Sequence, residues 1–213
     1  PPVVALPAAE ERAGIPSFVS VYTGEEPVLD GEREPLWDRA VVHEIPSPGP
    51  SLGGSVRSLW NDDALFLFVE VTGPGINLRD GLLDTPWRAD SIELSIGGPI
   101  NFKVFTFVIG DRQHVKVDRG GGGVPSEQMV QGFMKQVDGG WVAEIRIAAG
   151  SGGALNGFRP AETANQYTIG VRANVMVNGQ RVYFDVPNGL HPNEPPTFSP
   201  LVFASYVEGS QAE

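Results

Sequence analysis

Residues 56–71 read Val56-Arg57-Ser58-Leu59-Trp60-Asn61-Asp62-Asp63-Ala64-Leu65-Phe66-Leu67-Phe68-Val69-Glu70-Val71. Two β-rich runs flank three turn-forming residues, Asn61-Asp62-Asp63, and this order predicts a hairpin. The second run is apolar on both faces, as a central strand covered from two sides requires. Comparable runs recur on the C-terminal side. Residues 91–96 alternate and stop at Gly97-Gly98-Pro99. Residues 102–109 turn at Asp111-Arg112 into 114–117, and 129–137 turn at Asp138-Gly139-Gly140 into 141–147. Residues 167–177 turn at Asn178-Gly179, a strong hairpin signal, into 180–186, and 201–206 close the series. Only residues 7–13 have helix-forming composition, in a stretch too short to be stable alone. About ten strands with turns every 8–12 residues predict an all-β chain, an antiparallel β-sandwich or barrel, with a sandwich of immunoglobulin-like jelly-roll type as the expected form. Residues 1–27 are expected to form an N-terminal arm or linker, 28–206 the sandwich domain, and 207–213 a tail.

The chain's 213 residues suffice for a substantial core, and 15 Lys and Arg against 26 Asp and Glu give a net charge of −11. Such a balance argues against nucleic acid, which needs a basic stripe to neutralise phosphates. No apolar run is long enough to cross a bilayer as a helix, so membrane insertion is not expected. With no cysteine, disulfide frameworks, Cys-zinc sites and thiol nucleophiles are excluded. The three histidines are too few for a His-rich metal centre.

No nucleophile elbow, Walker loop or dinucleotide fingerprint is present. The tract Gly120–Gly123 precedes no helix and reads as a loop. Asp90 and Glu93 are three apart, on opposite faces of a regular strand, which disfavours a glycosidase pair. Asp62-Asp63 and Asp80…Asp84 offer oxygen ligands to calcium without EF-hand spacing. Trp37, Trp60 and Trp141 sit in or beside apolar alternation and read as core. Trp87 differs: it stands in the polar loop Asp84-Thr85-Pro86-Trp87-Arg88-Ala89-Asp90. An indole flanked by Arg and Asp suits a sugar, whose C–H face stacks while its hydroxyls bond the polar neighbours.

The chain resembles the family 9 carbohydrate-binding modules (CBM9) over residues 28–203. The similarity is carried by Asp30-Gly31 with Trp37-Asp38-Arg39-Ala40, by the 56–71 hairpin, and by Pro86-Trp87-Arg88-Ala89-Asp90-Ser91-Ile92-Glu93. Gly139-Gly140-Trp141-Val142-Ala143-Glu144 and Tyr167-Thr168-Ile169-Gly170 complete it. The resemblance implies a sandwich that binds sugars between two tryptophans, in the best-known members at the reducing ends of glycans. By the same resemblance Trp87 matches one aromatic wall, Glu93 the hydroxyl-binding glutamate, Lys103 a position held by arginine in sugar-binding members, and Asn174 a polar contact. It further implies a structural calcium near the acidic loop before Pro86. Two departures stand out. The segment 187–200, where the second tryptophan belongs, has only His191 and Phe198 as rings, and Thr72-Gly73 replaces an expected aspartate. Losing one wall costs about 1–3 kcal/mol of stacking.

The leading expectation is therefore non-catalytic binding of a small saccharide or a polysaccharide end, on Trp87 with Glu93, Lys103, Arg172, Asn174 and His191. The module is expected to be secreted or at the cell surface, tethered to a catalytic domain in a longer protein. Two alternatives stay open. One is a structural or adhesion domain that has lost the sugar site. The other is a haem b electron-transfer domain, as in related sandwiches, with ligands among Met129, Met134, Met176, His114 and His191.

Overall fold

A computed structural model of the chain describes residues 3–5, 14–47, 49–77, 83–98, 101–119, 130–149, 167–191 and 193–207. The decisive stretch forms the expected hairpin: β4 (Gly53–Trp60) pairs with β5 (Ala64–Thr72) from Gly53↔Thr72 to Trp60↔Leu65. Asn61 shapes the turn, its side-chain oxygen accepting the N–H groups of Asp63 and Ala64. Strands follow at each predicted run: β6 (Ser91–Gly97), β7 (Phe102–Ile109), β8 (Arg112–Arg119), β9 (Val130–Val137), β10 (Gly140–Ala148), β11 (Thr168–Val177), β12 (Gln180–Val186) and β13 (Ser199–Val207). Three short strands escape the sequence pattern: β1 (Val3–Ala5), β2 (Phe18–Tyr22) and β3 (His43–Ile45). Within segment 1–27, β2 runs parallel to both β13 and β4 and joins them. Residues 7–13, 120–129 and 208–213, on which the short helical stretch, the Gly120–Gly123 loop, Met129 and most of the tail fall, lie outside the described residues.

The all-β class holds, but the strands do not divide into the two separate sheets of the expected sandwich. They form one hydrogen-bonded path, β8-β7-β6-β11-β13-β2-β4-β5-β10-β9, with β12, β3 and β1 attached at its sides. The reason lies in β2, which splices the two halves by parallel pairing that alternating patterns do not signal. The path curls until its ends nearly meet. There the Gln113 side chain bonds the backbone of Met134 in both directions, N–H to O and O to H–N, each at 2.8 Å. Gly132 permits the approach, since a Cβ there would overlap Thr106 and Val115.

The main core fills the interior with Leu65, Leu67 and Val69 of β5, Ile92 and Leu94 of β6, and Val171 and Ala173 of β11. A second cluster covers the outer face of β4, β5 and β10, with Trp37 delivered by the 3₁₀ turn Pro35–Arg39. Trp37, Trp60 and Trp141 are all buried. Under that turn, Glu144 of β10 is wholly buried and accepts the Gly31 N–H at 2.6 Å, which pins the Asp30-Gly31 turn to the sheet. Burial pushes the Glu144 carboxyl up to about 7, with the Asp30 and Glu34 charges adding to the rise against the lowering backbone N–H bonds.

Candidate functional site

Strand register places chemistry in rows across one face of the sheet. Lys116 of β8 lies opposite Phe105 of β7, Phe105 opposite Glu93 of β6, Glu93 opposite Arg172 of β11, and Arg172 opposite Asp185 of β12. Side chains on alternate residues share a face, so this row and its neighbours project together away from the core. Above it lies a cavity of about 830 Å³, within the range of roughly 300–1,000 Å³ common for small-molecule sites.

Trp87 forms one wall. Pro86 presets the first position of the 3₁₀ turn Pro86–Arg88, and Ser91 Oγ donates to its carbonyl at 3.1 Å. Arg181 donates to the Trp87 carbonyl at 3.3 Å, and Lys116 Nζ donates to that of Asp84 at 3.2 Å. The half-buried indole leans on Phe105 with ring centres 5.9 Å apart, and the Lys116 ammonium lies 5.9 Å from its centre. Both rings line the cavity.

The floor is charged and buried. Arg172 makes a bidentate pair with Asp185, Nε to Oδ1 at 2.7 Å and Nη2 to Oδ2 at 2.9 Å, and Nη2 also donates to the Leu190 carbonyl at 3.1 Å. Burial alone would lower the guanidinium's pKa, but the Asp185 bonds and charge, with Glu93 adding, raise it, so it stays charged. Its Nη1 donors have no partner among the described residues. Glu93 is 5% exposed, and its ion-pair partner among the described residues is Lys103, with Nζ to Oε1 at 3.3 Å. Lys103 also donates to Asn193 Oδ1 at 2.7 Å.

Residues 187–191 and 193–198 follow β12, and several of them line the cavity. Leu190 is buried and rests against Gly170, where a Cβ would overlap its side chain. His191 lines the cavity, exposed, 3.5 Å from Glu194. Phe198 is buried at 2% exposure and forms no wall. Sequence reasoning missed Phe105 and also Tyr183, which is 47% exposed on edge strand β12 and lines the cavity, with the Arg172 guanidinium 4.2 Å from its ring centre. The Asn178-Gly179 hairpin register was its available signal, since it sets Tyr183 opposite Asn174 and outward.

Five of the six residues singled out from sequence, Trp87, Glu93, Lys103, Arg172 and His191, meet at this cavity. Asn174 shares the face of Arg172 but is wholly buried, donates to Ser91 Oγ at 3.2 Å, and is not among the lining residues. Asp90 is buried apart from Glu93's role, its two oxygens accepting the N–H groups of Met176 (2.7 Å) and Asn77 (2.6 Å). Among the haem-ligand candidates, Met134 belongs to the main core and His114 stacks on Phe107 with centres 5.5 Å apart.

No protein-family model and no curated protein matches the chain. Solved structures do. A carbohydrate-binding module of family 9 from Caldicellulosiruptor kristjanssonii, in complex with cellotriose, superposes with a TM-score of 0.68 at 18% identity, covering 92% of this chain and 98% of that one. Its complex with glucose gives 0.66 at 18%, covering 92% and 100%. The chain has a CBM9-like fold. A structure from Bacteroides uniformis also matches this CBM9-like chain, with a TM-score of 0.56 at 12% identity, covering 88% and 99%. The calcium that CBM9 resemblance implies finds no matching donor set among the described residues. No three His, Asp or Glu groups cluster there, Asp84 is exposed, and Asp80 lies outside the described residues. No helix among the described residues is long and apolar enough to cross a membrane.

Proposed function

We propose that this cavity binds a neutral saccharide without transforming it. The observation that carries the reading is the buried, charged pair of Glu93 and Arg172 on adjacent strands, lining one cavity with the Trp87 indole. A pair of sugar hydroxyls can engage both: one donates to Glu93, its neighbour accepts from Arg172. Trp87 and Phe105 cover the apolar C–H face, and Lys103 and Asn193 extend the polar rim. Cations and anions balance along the floor, which suits an uncharged hexose better than a polyanion. The neighbouring folds were solved with glucose and with cellotriose, and that chemistry agrees with the cavity. Tyr183 stands nearest to the role of the missing second wall. A glycan ligand fits a module that acts outside the cell or on its surface, tethered to a catalytic domain in a longer protein. Any calcium would be structural and lie away from this floor.

Titration calorimetry with glucose and cellobiose tests the reading. Binding to the native chain is expected, together with a loss of about tenfold to a hundredfold in affinity for Trp87→Ala, the worth of one stacked ring at about 1–3 kcal/mol. Absent heat with both sugars, and with a wider panel of neutral mono- and disaccharides, supports instead a structural domain with an inert cavity.

A further inference from the structure

Asn174 stands two residues from Arg172 on β11 and on the same strand face, yet it is wholly buried and does not line the cavity. Register sets it opposite Ser91 of β6, also wholly buried, and its Nδ2 donates to Ser91 Oγ at 3.2 Å. Ser91 Oγ in turn faces two carbonyls, that of Pro86 at 3.1 Å and that of Ala89 at 3.3 Å. Carbonyls only accept, so the hydroxyl directs its single proton to them and turns a lone pair to Asn174. That lone pair requires an N–H opposite it, which fixes the orientation of the amide. The relay therefore runs one way, from Asn174 through Ser91 to the 3₁₀ turn Pro86–Arg88 that carries Trp87.

The other ties on this loop are weaker or act elsewhere. The Arg181 and Lys116 bonds lie at the exposed surface, where water competes for donor and acceptor alike. Asp90 anchors the strand end that follows the turn, through the Met176 N–H. The Asn174–Ser91 bond is closed to water and stiffer for it. Asn174 Oδ1 meets no donor among the described residues. An unpaired buried oxygen is costly, so an apolar side chain would pack there at lower cost if packing were the amide's only task.

We infer that Asn174 is a positioning residue: through Ser91 it sets where the Trp87 indole stands relative to the Arg172 guanidinium on its own strand. It does so without touching the ligand, unlike the direct polar contact that the family resemblance implies. Its effect on affinity rests on the saccharide reading of the cavity, whereas its effect on the indole does not.

The test is calorimetry with glucose and cellobiose on Asn174→Ala, Ser91→Ala and the double variant, beside acrylamide quenching of tryptophan fluorescence in the sugar-free full chain. Trp37, Trp60 and Trp141 are buried, so the quenchable emission reports Trp87. Each single variant is expected to lose about threefold to tenfold in affinity, the double variant no more than either single one, and quenching to rise in all three. Ser91→Ala removes one oxygen only, and it carries the test if Asn174→Ala does not fold. In a chain that binds sugar, unchanged affinity or unchanged quenching in the single variants overturns the relay, and so do losses that add. If the native chain binds neither sugar, raised quenching keeps the positioning role and discards the saccharide reading, and unchanged quenching discards both.

Discussion

At the residue scale, the cavity floor depends on one guanidinium held from three directions. Asp185 grips it as a fork, the Leu190 carbonyl accepts a further N–H hydrogen bond, and Tyr183 lies against its face. A lysine keeps the charge but has neither the fork geometry nor the planar stacking surface. Arg172→Lys is therefore expected to weaken sugar binding by at least about tenfold and to leave Asp185, 9% exposed, short of one bond. Calorimetry on the variant, with a thermal melt to separate binding from folding, checks both effects. Trp87 was legible because a lone indole in a polar loop breaks a local pattern, whereas Glu93 sits in clean alternation and was singled out only through the family resemblance. Asn174 was not legible in the same way. Its face is right, but nothing in the sequence tells that the turn at Pro86–Arg88 and its neighbours bury that end of the strand.

At the element scale, hairpins read well because their information is local. Asn61-Asp62-Asp63 and Asn178-Gly179 each fix a register, and register decides which side chains meet above the sheet. β2 escaped because five residues pairing in parallel with strands far away in sequence carry no local turn signal. Tyr183 escaped because an outward aromatic on an edge strand looks like any alternating residue until the loop above is placed. That loop depends on Gly170. A Cβ there would drive Leu190 off the sheet and carry its carbonyl away from Arg172. Gly170→Ala is expected to cost about 1–3 kcal/mol of stability, an overpacking cost, and to weaken sugar binding as well. Urea unfolding and calorimetry, run in parallel on the variant, separate the two losses.

At the scale of the whole molecule, stability is linked to pH through a group far from the cavity. Folding holds the Glu144 carboxyl up to about 7, mainly by burial, against an ordinary 4.5. Between these values the folded chain keeps a proton that the unfolded chain releases, so the folded state binds more protons. Stability from this group therefore falls as pH rises across that window, by about 1–3 kcal/mol in all. Thermal melts from pH 5 to pH 8 are expected to show the decline, and Glu144→Gln to flatten it. A decline of equal size in the variant assigns the pH dependence elsewhere.

The Gln113 amide that ties β8 to β9 stands in for a missing strand. Both backbone groups of Met134 that would otherwise seek a ladder partner are satisfied by one side chain, which blocks another polypeptide from pairing at that residue. A carboxamide on three rotatable bonds lets go more readily than a ladder does, so breathing of the closed wall concentrates at this stitch. Deuterium uptake at the Met134 amide is expected to outpace that of Ala143 on the adjoining, fully laddered strand, and Gln113→Ala to quicken it further.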